Sequence, residues 1–75
     1  MNTKAINLEN LRGLTDGELI ISAITGREDS FEELVRRYQR PITNYVYRML
    51  GNYDASLDVT QEIFIKVYNS MARYS

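Results

Sequence analysis

The chain has 75 residues, of which ten are acidic and nine basic, and its formal net charge is −1 at pH 7. A chain of this length makes one small domain at most, and its near balance of charge gives no electrostatic reason to expect tight binding of duplex DNA. It contains no Cys and no His, so disulfides, the usual zinc sites and the commonest general base are missing. We therefore expect no metal, no cofactor and no enzymatic activity.

The N-terminal stretch differs from the rest of the chain. Residues 1–13 are polar and aperiodic and end in Gly13, which predicts a flexible N-terminal arm before a helical domain over residues 14–75. The N-terminus lacks the apolar core of a signal peptide, and no run is apolar enough to span a membrane. The prediction is therefore a cytoplasmic protein with no membrane partner. The pattern along the chain separately predicts three helices and no strand, and so the all-α class.

The first predicted helix lies in LTDGELIISAITG. Thr15 and Glu18 have the spacing of a capping box, in which each side chain accepts a hydrogen bond from a free amide at the helix start. Gly26 suits the left-handed position just past the end of the helix. Four apolar residues between these ends share one helical face, namely Leu19, Ile20, Ala23 and Ile24.

The second predicted helix begins at a further capping-box pattern, Ser30 with Glu33, and contains Pro41 near its middle. Proline kinks or breaks a helix, but the apolar stripe keeps its phase across it. We therefore predict one long helix, kinked near Pro41; the alternative is two helices with a break at Gln39 and Arg40. The stripe consists of Phe31, Leu34, Val35, Tyr38, Ile42, Tyr45, Val46, Met49 and Leu50.

The basic residues of this helix have two interpretations, since Arg36, Arg37, Arg40 and Arg48 are of the type that contacts nucleic acid. Glu32 and Glu33 precede Arg36 and Arg37 by four residues, which is the spacing of favourable helical ion pairs. The favoured interpretation is a solvated face. Tyr38 and Tyr45 lie on the apolar stripe, so packing explains them more simply than base stacking does.

The third predicted helix runs from Asp54, a suitable N-cap, to about Ala72. At about 100° per residue, its apolar residues cover more than half of its circumference. One stripe, Val59, Ile63, Val67, Met71 and Tyr74 with Phe64 at its border, is enough to pack on the second helix. A narrow polar face consists of Asp58, Glu62, Lys66, Asn69 and Arg73.

A second stripe on this helix has no obvious cover within three helices; it consists of Leu57, Gln61, Ile65, Tyr68 and Ala72. Exposed apolar side chains beside a Gln and two carboxylates are typical of a protein interface. The stripe would equally suit contact with a fourth helix of the same domain, or plain surface. Periodicity alone leaves these interpretations open.

Three motifs follow one another along the chain. They are FEELVRRY, a tyrosine-rich stretch ending in MLGN, and D-x-x-Q-E-x-F (Asp58, Gln61, Glu62 and Phe64), which is followed by VY. In this order and spacing they resemble the N-terminal part of the second conserved region of bacterial extracytoplasmic-function sigma factors. The resemblance covers about Leu14 to Tyr74.

The resemblance implies an all-helical domain whose helix over residues 54–72 docks on the clamp coiled coil of the largest catalytic subunit of RNA polymerase. Asp58 and Glu62 would accept hydrogen bonds from Arg of the clamp, and Gln61 would bridge polar groups near the centre. The apolar docking positions would exclude water around them. The implied polymerase-binding residues are Leu57, Asp58, Gln61, Glu62, Ile65 and Tyr68.

The sequence also departs from the family pattern, because it stops at Ser75, before the part that melts the promoter. We therefore expect a piece of a longer sigma factor, with promoter DNA a partner only of the full protein and an anti-sigma factor as a further partner. Exposed apolar surface predicts self-association. The alternatives are a generic helical homodimerisation module, a short decoy that occupies the clamp, and a helix-turn-helix DNA reader, which acids at the start of the third helix disfavour.

Overall fold

The structure, a computed structural model, describes residues 8–73, and within this range the chain forms helices and no strand. The helices are α1 (Leu8–Arg12), α2 (Asp16–Ile24), α3 (Glu28–Leu50) and α4 (Tyr53–Ala72). The other three helices pack against α3, which forms the spine of the domain. The predicted all-α class is confirmed, and the helix count of the described range is four rather than three because α1 lies within the predicted arm.

The prediction of a flexible arm over residues 1–13 is wrong for Leu8–Arg12, while residues 1–7 lie outside the described range. Leu11 is only 1% exposed. The guanidinium of Arg37 donates to the carbonyls of Leu11, Arg12 and Leu14, at 3.2, 3.1 and 2.7 Å. Because five residues are too few for a stable isolated helix, these contacts with α3 hold α1 in place.

Helix α2 has the predicted N-terminus. The amide of Glu18 donates to Thr15 Oγ1 at 3.1 Å, and the amide of Thr15 donates to Glu18 Oε1 at 2.8 Å, which completes the capping box. Leu19 is fully buried against its neighbours, whereas Ile20 of the same predicted face is 42% exposed. Gly26 follows the helix with a φ of +109°, as expected for a glycine in this position.

Helix α3 is continuous through Pro41, so the prediction of one long helix is confirmed and the break at Gln39 and Arg40 is wrong. The kink at Pro41 stays a prediction. The helix ends at Leu50 and is capped by Gly51, whose φ is +71° and whose amide donates to the carbonyl of Tyr47 at 2.8 Å. This left-handed residue allows the chain to turn directly into α4.

The predicted capping box at Ser30 is wrong, because the N-cap of α3 is Arg27, three residues before Ser30, and the helix begins at Glu28. Ser30 is instead buried and shares a hydrogen bond with Ser22 of α2, with 2.6 Å between the hydroxyl oxygens. Glu33 is also buried and binds arginines. Tertiary contacts therefore use both side chains that the pattern assigned to a helix start.

Glu33 is the centre of an ion-pair network. Its carboxylate accepts from Arg36 Nε and Nη2 at 3.0 and 2.8 Å and from Arg37 Nε at 2.9 Å, so the predicted pairing four residues apart holds for Arg37. Arg37 Nη1 also donates to Asp16 of α2 at 2.8 Å. The hydrogen bonds from Arg36, followed by those from Arg37, lower the pKa of Glu33 from 4.5 to about 2 despite its burial. The network ties α2 to α3.

Helix α4 begins at Tyr53 rather than after Asp54, because Asn52 is the N-cap and its Oδ1 accepts from the amide of Ala55 at 2.9 Å. Asp54 therefore lies within the first turn, where a carboxylate is favourable to the helix dipole. The helix ends at Ala72, as predicted.

Small polar side chains are the most buried residues at the contact between α3 and α4. Thr43 is 2% exposed, Thr60 is 1% and Ser56 is 0%. Thr43 Oγ1 donates to Thr60 Oγ1 at 3.0 Å, and Thr60 Oγ1 donates to the carbonyl of Ser56 at 2.8 Å. Small side chains at a helix contact permit a short distance between the axes.

The predicted packing stripe of α4 is therefore displaced around the helix. Val59, Ile63 and Met71 are half-buried and Val67 is 43% exposed, while Tyr74 lies outside the described residues. The most buried side of α4 is instead the side of Ser56 and Thr60, which hydrophobicity alone does not identify.

Candidate protein-docking face

We name as the docking face the six residues that the family resemblance picks out on α4: Leu57, Asp58, Gln61, Glu62, Ile65 and Tyr68. At 100° per residue they lie within an arc of about 140° of the helix surface. Leu57 is half-buried and the other five are exposed. Ile65 leaves 59% of its surface in solvent and Tyr68 leaves 40%. The structure thus brings all six to one side of α4, accessible to a partner.

Side chains of α3 lie beside the docking face and form a wall along it. The charge of this wall changes from one end of the face to the other. Arg36 and Arg40 lie near Leu57, whereas Glu28 and Glu32 lie near Ile65 and Tyr68. Sequence reasoning missed this wall, since helical periodicity examines one helix at a time. A partner lying on α4 would therefore meet basic side chains of α3 at one end and acidic ones at the other.

An aromatic cluster fixes Tyr68 at the acidic end. The Tyr68 ring packs edge-on to Phe31, with ring centroids 5.1 Å apart, and Phe31 makes a similar contact with Phe64 at 6.4 Å. The Tyr68 hydroxyl donates to Glu28 Oε2 at 3.1 Å, and this hydrogen bond raises the pKa of the phenol. Tyr68 is therefore held in place although much of its ring faces solvent.

A second groove lies on the other side of the contact between α3 and α4. Tyr45, which the apolar stripe predicted to be packed, is 62% exposed here, and Met49 is 64% exposed. The groove has a volume of about 450 Å³ and an almost wholly apolar lining. We call it the apolar groove; its lining residues are Pro41, Ile42, Tyr45, Val46, Met49, Leu50, Val59 and Ile63.

The part of the chain that the structure describes contains neither a candidate membrane span nor a candidate metal site. None of its helices is long and apolar enough to cross a membrane. Nor do three or more Asp or Glu side chains within residues 8–73 come together in an arrangement that would hold a metal ion.

A model of the region described as "Sigma-70 region 2" matches residues 34–75, more than half of the chain. The chain belongs to the sigma-70 region 2 family. The matched residues include most of α3 and the whole of α4, and so all six residues of the docking face. The family resemblance drawn from the three motifs is confirmed.

Similar curated proteins are sigma factors. The chain is 35% identical over 46 residues to RNA polymerase sigma factor YlaC of Bacillus subtilis (strain 168), covering 61% of this chain and 27% of that protein. It is 40% identical over 45 residues to ECF RNA polymerase sigma factor SigE of Mycolicibacterium smegmatis, covering 60% and 18%. It is 42% identical over 43 residues to ECF RNA polymerase sigma factor SigW of Bacillus subtilis, covering 57% and 23%.

The chain thus spans about a fifth to a quarter of the length of these relatives. No solved structure gives a significant match.

Proposed function

We propose that this chain is the polymerase-docking part of a bacterial sigma factor and acts in transcription initiation, in the cytoplasm and without catalysis of its own. It binds the clamp coiled coil of the largest RNA polymerase subunit through the docking face. The observation that carries the proposal is the exposure on one side of α4 of the D-x-x-Q-E residues together with Ile65 and Tyr68. Membership of the sigma-70 region 2 family supports it.

The docking face combines two kinds of contact. Asp58 and Glu62 are exposed and accept charge-assisted hydrogen bonds from Arg side chains of the clamp, which fixes the orientation of the two partners. Ile65, 59% exposed in the free chain, loses its contact with water on binding and contributes about 1–2 kcal/mol. Gln61 lies between Leu57 and Ile65 around the helix and bridges polar groups at the centre.

Other partners follow from the same proposal. An anti-sigma factor that covers the docking face would compete with polymerase for it, and promoter DNA is a partner of the longer sigma factor. The apolar groove supports self-association of the chain, because exposed apolar surface of this kind favours contact between copies. If light scattering at micromolar concentration shows only a monomer, the proposed self-association is contradicted.

The test is calorimetric titration of the chain with the isolated clamp coiled coil. Asp58→Arg places a cation where a carboxylate accepts from Arg, and Gln61→Ala removes the bridging amide. Ser70→Arg adds a cation on the part of α4 turned away from the docking face and serves as the control. We expect saturable binding that both docking variants weaken, Asp58→Arg most, and that the control leaves unchanged.

Absence of binding by a chain whose helicity is intact by circular dichroism would contradict the proposal. In that case a symmetric dimer in solution would favour the generic homodimerisation module instead. That alternative has no support from the family comparisons, which return sigma factors.

A further inference from the structure

A cleft between α3 and α4 adjoins the docking face at its acidic end. None of the residues that line it belongs to Asp58, Gln61 and Glu62, the polar residues of the D-x-x-Q-E motif. Its volume is about 310 Å³ and its lining is mainly apolar. We call it the acidic cleft; its lining residues are Glu28, Phe31, Glu32, Phe64, Ile65 and Tyr68. Two of these, Ile65 and Tyr68, belong to the docking face as well, so the two surfaces are continuous.

The walls of the acidic cleft are already ordered in the free chain. Phe31 contacts both Phe64 and Tyr68 edge-on, and the Tyr68 hydroxyl is anchored on Glu28. These contacts restrict the rotamers of the rings before any partner arrives. A side chain that enters the cleft therefore gains apolar contact without the entropic cost of ordering its walls.

The charge of the cleft selects what enters it. Glu28 and Glu32 are both exposed, and among the described residues neither forms an ion pair with Lys or Arg. Glu28 lies in the first turn of α3, where the helix dipole accounts for a carboxylate. Glu32 lies a full turn further along α3, where the helix dipole does not favour a carboxylate. An apolar cleft bordered by two carboxylates that lack a basic partner is complementary to an apolar side chain flanked by cations.

We propose that the acidic cleft is a second docking subsite, which receives one bulky apolar side chain of the clamp coiled coil flanked by Lys or Arg that pair with Glu28 and Glu32. The inference rests on the proposed function, because the occupant is the same partner. It extends the interface from α4 onto the N-terminal half of α3. Contact with two helices adds a second constraint on the angle of the clamp, beyond the contact with α4.

The test uses the full chain with the isolated clamp coiled coil. The double variant Glu28→Gln/Glu32→Gln removes both charges and keeps the shape of the side chains. We expect its affinity to fall about 2- to 10-fold, in keeping with exposed ion pairs, and to depend less on salt. Glu18→Gln is the control for loss of a carboxylate outside the cleft; it removes a single charge on α2, and Gln also suits the capping box. In parallel, clamp binding should shift the ring-proton resonances of Phe31.

The outcomes are distinguishable. If Asp58→Arg weakens binding while the double variant binds like Glu18→Gln and the Phe31 resonances do not move, the acidic cleft is not a subsite and the proposed function stands. If the unmodified, folded chain does not bind the clamp, the proposed function and this inference both fail. A weakened double variant together with shifted Phe31 resonances supports the subsite.

Discussion

The hydroxyl pair at the contact of α3 and α4 leads to a double-mutant prediction. Thr43 donates to Thr60, and Thr60 donates to the carbonyl of Ser56, with all three residues at most 2% exposed. Thr43→Val removes a donor and leaves the bond from Thr60 to Ser56 intact, so we expect a cost of about 0.5–1 kcal/mol, that of one hydrogen bond. Valine keeps the shape and the β-branch of threonine.

Thr60→Val has a different consequence, because it removes the acceptor of a buried donor. The Thr43 hydroxyl is then left without its partner, which costs about 1–3 kcal/mol; the lower value applies if the hydroxyl turns to the carbonyl four residues earlier. The double variant leaves no stranded donor, so its cost should lie below the sum of the single changes by about 1 kcal/mol.

Urea unfolding followed by far-ultraviolet circular dichroism measures these free energies. Clamp binding by the folded variants is the accompanying control, since none of the changes touches the docking face. The reasoning is refuted if Thr60→Val costs no more than Thr43→Val, or if the two changes are additive.

Three further predictions concern single side chains. Thr15→Ala removes the acceptor of the α2 capping box and should cost about 1 kcal/mol in urea unfolding, whereas Thr15→Ser should cost little. Gly51→Ala should cost about 1–2 kcal/mol from backbone strain alone, because φ is +71° and an added Cβ meets nothing within 4 Å; an unchanged midpoint would contradict this. The folded-state pKa of Glu33 is about 2, below its ordinary 4.5, so its stabilisation is complete above pH 4.5 and is lost as the pH falls towards 2. The midpoint temperature of thermal unfolding should therefore fall over that range in the unmodified chain, and fall less steeply in Glu33→Gln.

Local signals in the sequence predicted the parts of the fold that local physics determines. Thr15 and Glu18 cap α2 because their partners are three residues apart. The stripe that keeps its phase across Pro41 predicted one continuous helix, since burial of one face outweighs one lost amide. The periodicity of α4 likewise indicated a second stripe that three helices do not easily cover, and Ile65 and Tyr68 of this stripe are exposed.

The parts that the sequence did not predict depend on contacts between distant residues. Ser30 and Glu33 have capping-box spacing, yet Ser30 bonds to Ser22 and Glu33 binds Arg37, which reaches Asp16. The α3 wall of the docking face was missed for the same reason. Which face of α4 is most buried is set by Ser56 and Thr60, whose hydroxyls pair only once α3 is in place.

Arg37 has a consequence for how the N-terminal part of the domain moves. Its guanidinium donates to the last two carbonyls of α1 and to the carbonyl of Leu14 just after it, and it also donates to Asp16 at the start of α2. Release of that single side chain would free all of these groups together. Partial opening of proteins proceeds in such cooperative units, at free energies below that of global unfolding. The amide hydrogens of residues 8–14 should therefore exchange with solvent deuterium as one group, ahead of those in the middle of α3. The exchange rate of that group then reports how often the hydrogen bonds of Arg37 break.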